Sequence, residues 1–208
     1  MMRPEDAREA ERLEADYIGV ILTESQRRVS VDDALKIFDA APSPEKVGVV
    51  SSGTIPSFVT VAQALELDVL QVHRSMTRDE TARLRDEFDG RIWAVVPVDA
   101  ATGSVPGNWQ EIADSADALV FDTSISGRSG GTGRTFNWES AALVLSKVML
   151  EVPVVLAGGL TPQNVGVAIN TFHPTVVDVS SGVEVRPGQK DTRLMQAFAN
   201  AVRSASIV

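Results

Sequence analysis

Residues Val152–Asp191, VPVVLAGGLTPQNVGVAINTFHPTVVDVSSGVEVRPGQKD, carry the architecture of this chain. They hold two short apolar runs, Pro153–Leu156 and Thr175–Val179. Each is valine-rich and continuous rather than alternating, the pattern of a strand buried on both faces. Gly158-Gly159 follows the first run and Ser180-Ser181-Gly182 follows the second. Between them Thr161 is expected to cap a helix with Pro162 at its first position. Glycine turns at strand ends let an anion approach exposed backbone N–H groups. A single Gly-Gly would be read as a tight turn and nothing more. Two such loops in succession, late in a strand–helix chain, match the phosphate site of a (β/α)8 barrel. The expected phosphate-binding residues are therefore Gly158, Gly159, Ser180, Ser181 and Gly182.

The same alternation extends back through the chain. Strands are expected to begin at Tyr17, Lys46, Val69, Ile92, Ala118, Val154 and Thr175. Helices are expected at Pro4–Leu13, Val31–Ala40, Ser57–Leu65, Arg78–Phe88, Trp109–Ala116, Ser140–Leu150 and Asp191–Ala205, each from apolar residues at helical spacing. Nothing reads as a linker, repeat or low-complexity segment, so residues 1–208 are taken as one α/β domain. The fold class is a (β/α)8 TIM-barrel type whose first strand is missing or replaced, because a helix opens the chain. The strand edges at Tyr17 and Thr175 then lack a neighbour, and unpaired edges are costly. Local collapse, a segment or partner chain filling the gap, or disorder nearby is expected there.

Composition narrows the function classes. The hydrophobic fraction of 44% and charged fraction of 23% are those of an ordinary globular protein. A net charge of −9 disfavours nucleic acid and anionic membrane surfaces as partners. No apolar run reaches the length of a membrane span, and the start lacks the apolar core of a secretory signal. Cysteine is absent, which excludes disulfides and thiolate chemistry. A cytoplasmic metabolic protein, monomeric or homodimeric, with a small phosphorylated substrate and no metal or cofactor, is the expectation.

Asp122 closes the apolar run Leu119-Val120-Phe121, at the end of a strand from which catalytic groups project in a barrel. Such a carboxyl can act as a general acid, although an isolated aspartate more often tethers a loop. Gly130-Gly131-Thr132-Gly133, followed by Phe136-Asn137-Trp138, reads as a mobile lid closed by aromatics.

With these motifs the chain resembles the phosphoribosylanthranilate isomerases of tryptophan biosynthesis over nearly its whole length. The resemblance rests on Ala15-Asp16-Tyr17-Ile18-Gly19, Lys46-Val47-Gly48-Val49, Leu70-Gln71-Val72-His73 and Phe121-Asp122-Thr123. It rests also on Gly130–Gly133, Leu156–Pro162 and Asp178–Glu184. It implies an Amadori rearrangement of N-(5-phosphoribosyl)anthranilate to 1-(2-carboxyphenylamino)-1-deoxyribulose 5-phosphate. It implies Asp122 as the acid that protonates the ring oxygen, and Arg27 on the anthranilate carboxylate, a match for a planar guanidinium. Gln71, His73, Gly131 and Gly133 are the further substrate-binding residues that it implies. Gln26 stands where the family usually has proline, and Arg74 where it has glycine. His173 is read as structural.

The chief departure lies at the start. The family opens with a Lys-Ile-Cys-Gly strand whose cysteine is the general base. Here only Met1 and Met2 precede the helix that follows that motif, so the strand and its cysteine are either absent or encoded upstream. Asp178 is the first candidate to take the base's place and Glu24 the second, with residual rather than efficient isomerisation expected. The alternative is a catalytically degenerate barrel that binds a phosphate ligand. A histidine-pathway isomerase ranks below both, since its base also lies on the first strand.

Overall fold

The computed structural model describes residues 1–99, 104, 105, 107, 109–125, 128, 129 and 152–205. Helix α1 (Pro4–Arg12) leads into strand β1 (Tyr17–Ile21), α2 (Val31–Asp39), β2 (Glu45–Val50), α3 (Ile55–Leu65), β3 (Val69–Val72) and α4 (Arg78–Glu87). Then come β4 (Arg91–Asp99), α5 (Trp109–Ala113), β5 (Ala118–Ile125) and β6 (Arg128–Ser129). After them come β7 (Val154–Leu156), α6 (Val165–Phe172), β8 (Val176–Val177), β9 (Glu184–Arg186), β10 (Gln189–Lys190) and α7 (Thr192–Ala205). Strands β1, β2, β3, β4, β5, β7 and β8 pair in that order, all parallel. They form the curled sheet of a (β/α)8-type barrel.

Each strand is apolar on both faces because each face meets a different layer. Ile18, Val20, Leu70, Val72, Ile92, Ala94, Val96, Leu119, Phe121, Val154 and Leu156 pack outward against the helices. Val47, Val69, Trp93, Val95, Val120, Val155 and Ala157 fill the barrel interior, with Tyr17 and Val176 at its margin. Alternation of side chains along a strand assigns each residue to one layer or the other. Full burial of one Leu, Ile or Phe contributes roughly 1.5–3 kcal/mol.

Among the described residues no ladder joins β8 back to β1. Between these two strands lie residues 1–3 and the hairpin of β9 and β10. The Met1 amino group donates to the Gly19 carbonyl oxygen of β1. Arg3 holds Asp6 with a fork at 2.9 and 2.5 Å and donates to the Lys190 carbonyl oxygen at 3.4 Å. The Lys190 amide donates in turn to Asp6 at 3.3 Å. The first turn of α1 thus grips the β9–β10 hairpin, and Arg203 of α7 caps the Leu13 carbonyl at 2.7 Å.

Several expectations are corrected. Thr161 does not cap a helix, nor does Pro162 begin one: residues 162–164 form a turn and α6 starts at Val165. The Asn164 side chain accepts from the Thr161 amide at 2.7 Å and donates to the Gly159 carbonyl at 3.0 Å, which keeps that turn folded on the glycine loop. Helix α3 begins at Ile55, two residues early, because Thr54 and Ser57 form a reciprocal capping box. Strand β5 runs on past Asp122, since it keeps pairing with β4 through Ser124 and turns back onto β6. The hairpin of β9 and β10 was not anticipated. The lid, the helix expected at Ser140–Leu150, Gly131 and Gly133 lie outside the described residues.

Candidate active site

Barrel parity brings four of the expected residues together. Val69, Val120 and Val176 face the interior. Two residues on, Gln71, Asp122 and Asp178 therefore face it as well, and His73 lies one further step along β3. Gln71, His73 and Asp178 stand at the carboxyl ends of their strands, and Asp122 lies in the carboxyl half of β5. His73 Nε2 lies 3.4 Å from Asp122 Oδ2, and the His73 amide is fixed to the Val50 carbonyl at 2.6 Å. Burial pushes the His73 imidazole below its ordinary value, against a pull from Asp178, so the neutral ring is favoured. Gln71 is only 7% exposed, and among the described residues its side-chain amide bonds to no protein group.

Asp178 lies in the mouth, crowded by protein atoms yet open to solvent on one side. Crowding raises its carboxyl above the ordinary value, while Lys190, the Met1 amino group, His73 and the Val179 amide pull it back. A base whose pKa is moved toward neutrality is better matched to proton abstraction near pH 7.

The two glycine loops meet. Gly158 and Gly159 have φ of 83° and 69°, the left-handed region that favours glycine. Gly182 lies so close to the neighbouring loop that a Cβ there would overlap the Leu160 carbonyl. Among the described residues the amides of Gly158, Gly159, Ser181 and Gly182 donate to no protein acceptor. This is the arrangement an anion needs.

Arg27 is not idle. Its Nε meets both oxygens of Glu184, at 3.0 and 3.1 Å, and its Nη2 meets Oε2 at 2.8 Å. Lys190 Nζ donates to Glu184 Oε1 at 3.2 Å and to the Ser180 carbonyl at 2.9 Å. Burial alone would raise the Glu184 carboxyl, but Arg27 and Lys190 outweigh it and hold it below the usual range. Sequence reasoning assigned Glu184 and Lys190 no role. The one available signal was a pair of charges in the Ser180–Asp191 segment; they bond each other, but Arg27, the partner that ties Glu184 to the site, lies 157 residues away.

Arg74, at the position where glycine was expected, turns away from the mouth. It pairs with Glu80 at 2.8 Å and lies over the Phe58 ring at 5.7 Å. Glu24 is exposed on its loop, and His173 is the left-handed residue ending α6. Among the described residues no cluster of three or more His, Asp or Glu is placed to hold a metal ion.

A family model described as N-(5'-phosphoribosyl)anthranilate (PRA) isomerase matches residues 1–201. The chain belongs to the N-(5'-phosphoribosyl)anthranilate isomerase family. It is 37% identical over 205 residues to the N-(5'-phosphoribosyl)anthranilate isomerase of Thermoanaerobacter sp. (strain X514), covering 98% of this chain and 95% of that protein. The monomerised form of the dimeric phosphoribosylanthranilate isomerase from Thermotoga maritima superposes with a TM-score of 0.81 at 28% identity, covering 98% and 95% of the two chains. A third relative was solved with reduced 1-(o-carboxyphenylamino)-1-deoxyribulose 5-phosphate, with a TM-score of 0.78, 25% identity and coverage of 98% and 95%. In this isomerase fold the mouth described above occupies the carboxyl end of the sheet.

Proposed function

We propose that the chain isomerises N-(5-phosphoribosyl)anthranilate to 1-(2-carboxyphenylamino)-1-deoxyribulose 5-phosphate in the cytoplasm, as a monomer or homodimer. The observation that carries the reading is the placement of Asp122 and Asp178 on the inward parity of β5 and of the end of β8, with only β7 between those strands. The phosphate sits on the amides of Gly158, Gly159, Ser181 and Gly182, with Ser180 shaping the second loop. Arg27 meets the anthranilate carboxylate, Gln71 and His73 contact the sugar and ring, and Gly131 and Gly133 belong to the covering loop.

Asp122 donates its proton to the furanose ring oxygen as the C1′–O4′ bond breaks, leaving an iminium at C1′. Asp178 then removes the C2′ proton, and the electron pair moves to give an enaminol that tautomerises to the ketose. Both groups reside in the chain, so the step needs no oxidant or cofactor. The absence of cysteine from the sequence favours a second reading, a barrel that binds the phosphate ligand without turning it over.

Loss of phosphoribosylanthranilate fluorescence separates the two. Turnover by the chain, abolished by Asp178→Asn while phosphate still binds, is the expected result. Turnover that appears only after an upstream Lys-Ile-Cys-Gly strand is added, and vanishes on Cys→Ala, would remove Asp178 as the base. No turnover in either form would leave the binding reading.

A further inference from the structure

We propose that Glu184 is a positioning residue that sets the spacing between a carboxylate site at Arg27 and the phosphate loop at Ser180, so that the mouth selects ligands bearing both anions. The inference rests on the reading of Arg27 given above.

Glu184 follows the 3-10 turn Ser181–Val183 directly, so its backbone moves with the second phosphate loop. Its side chain is 4% exposed, and a carboxylate so buried requires several partners. It has them: three contacts from Arg27, one from Lys190 Nζ, and the Gly188 amide at 3.3 Å. Lys190 carries the chain of contacts back to the Ser180 carbonyl oxygen. Arg27, on a loop after β1, is thereby held at a fixed offset from a loop more than 150 residues later.

Two details make this more than a buried ion pair. Glu184 occupies the Nε–Nη2 edge of Arg27, and among the described residues Nη1 has no protein acceptor. A guanidinium fork with one edge fixed presents the other edge in a set direction to a second planar anion. Charge points the same way. Arg27 and Glu184 alone would cancel, and Lys190 restores one positive charge to the group. Beside this group Arg3 and Asp6 pair with each other, burial favours the neutral forms of His73 and the Met1 amino group, and Asp178 is the carboxyl that faces Lys190.

The test uses binding, which does not depend on the identity of the base. The dissociation constants of reduced 1-(o-carboxyphenylamino)-1-deoxyribulose 5-phosphate and of its counterpart lacking the carboxyl group are measured on the full chain. The ratio of the second constant to the first reports the carboxylate site alone. Glu184→Gln should lower that ratio about tenfold, the scale of one charge-assisted contact. Competition by inorganic phosphate should stay within about twofold. In an Arg27→Ala background, Glu184→Gln should take nothing further from the ratio. If Glu184→Gln does not fold by circular dichroism, Glu184→Asp, which withdraws the carboxylate by one methylene, carries the same expectation. An unchanged ratio in the folded Glu184 variant, with Arg27→Ala still lowering it, overturns the positioning role and leaves the functional reading intact. A ratio indifferent to Arg27→Ala instead removes Arg27 from the carboxylate, and this proposal with it.

Discussion

Along the arc β1, β2, β3, β4, β5, β7, β8 each strand is joined to the next by a parallel backbone ladder, and the layers on either side of that arc are apolar. Between β8 and β1 the junction is made of side chains and the first residues of the chain. There Asp6, Arg3, Lys190, Glu184 and Arg27 stand in contact with one another. The arc holds His73 and Asp122 through backbone geometry, which tolerates side-chain change. The seam holds Arg27 through charge, which does not. One mouth is thus built to two standards of robustness.

Removing a seam charge should produce the largest effect on folding. Lys190→Met leaves Glu184 with Arg27 and the Gly188 amide and strips the Ser180 carbonyl of its donor, and should cost about 3 kcal/mol, the scale for breaking a buried pair. The urea midpoint measures it, and a loss below about 1 kcal/mol, the scale of a surface pair, would make the seam no more sensitive than the surface. Asp122→Asn, on the arc, should do the reverse. It should leave the urea midpoint near that of the parent while lowering turnover about a hundredfold or more. Equal turnover would dissolve the assignment of the acid.

The smallest effect comes from acid. The folded Glu184 carboxyl lies below its ordinary value of 4.5, so its contribution is complete above that pH and is lost as pH falls through the folded value. Asp178 runs the other way, since its raised carboxyl is relieved by protonation. The stability gap between the parent and Glu184→Gln should therefore narrow as pH falls below 4.5. A gap that stays constant from pH 7 to pH 3 would show that Glu184 is not held by charge.

Most of the arc was legible because strand periodicity and turn chemistry are local. Tyr17, Val69, Ala118 and Val154 begin strands where the apolar runs place them. The inward parity of Gln71, Asp122 and Asp178 follows from counting by two along those runs. The seam was legible only as a gap. Neither the pairing of Arg27 with Glu184 nor that of Asp6 with Lys190 leaves a periodic trace, because each joins residues whose separation in sequence is set by the whole barrel. Val165 was missed as a helix start for a related reason: Asn164 spends its side chain on the glycine loop instead of on a helix cap.

The span of the seam contacts bears on the order in which the molecule is completed. Arg27 and Glu184 are 157 residues apart, Asp6 and Lys190 are 184, and Arg3 and Lys190 are 187. Contacts of such length close after neighbouring strands have paired, because the intervening chain must first be ordered. During synthesis the arc can form strand by strand, whereas Arg27 waits for residues near the far end before it is fixed. Pulsed hydrogen exchange during refolding should therefore find the Lys190 amide, bonded to Asp6, protected later than the amides shared by β2, β3 and β4. Simultaneous protection would mean that the two ends meet before the strands between them do.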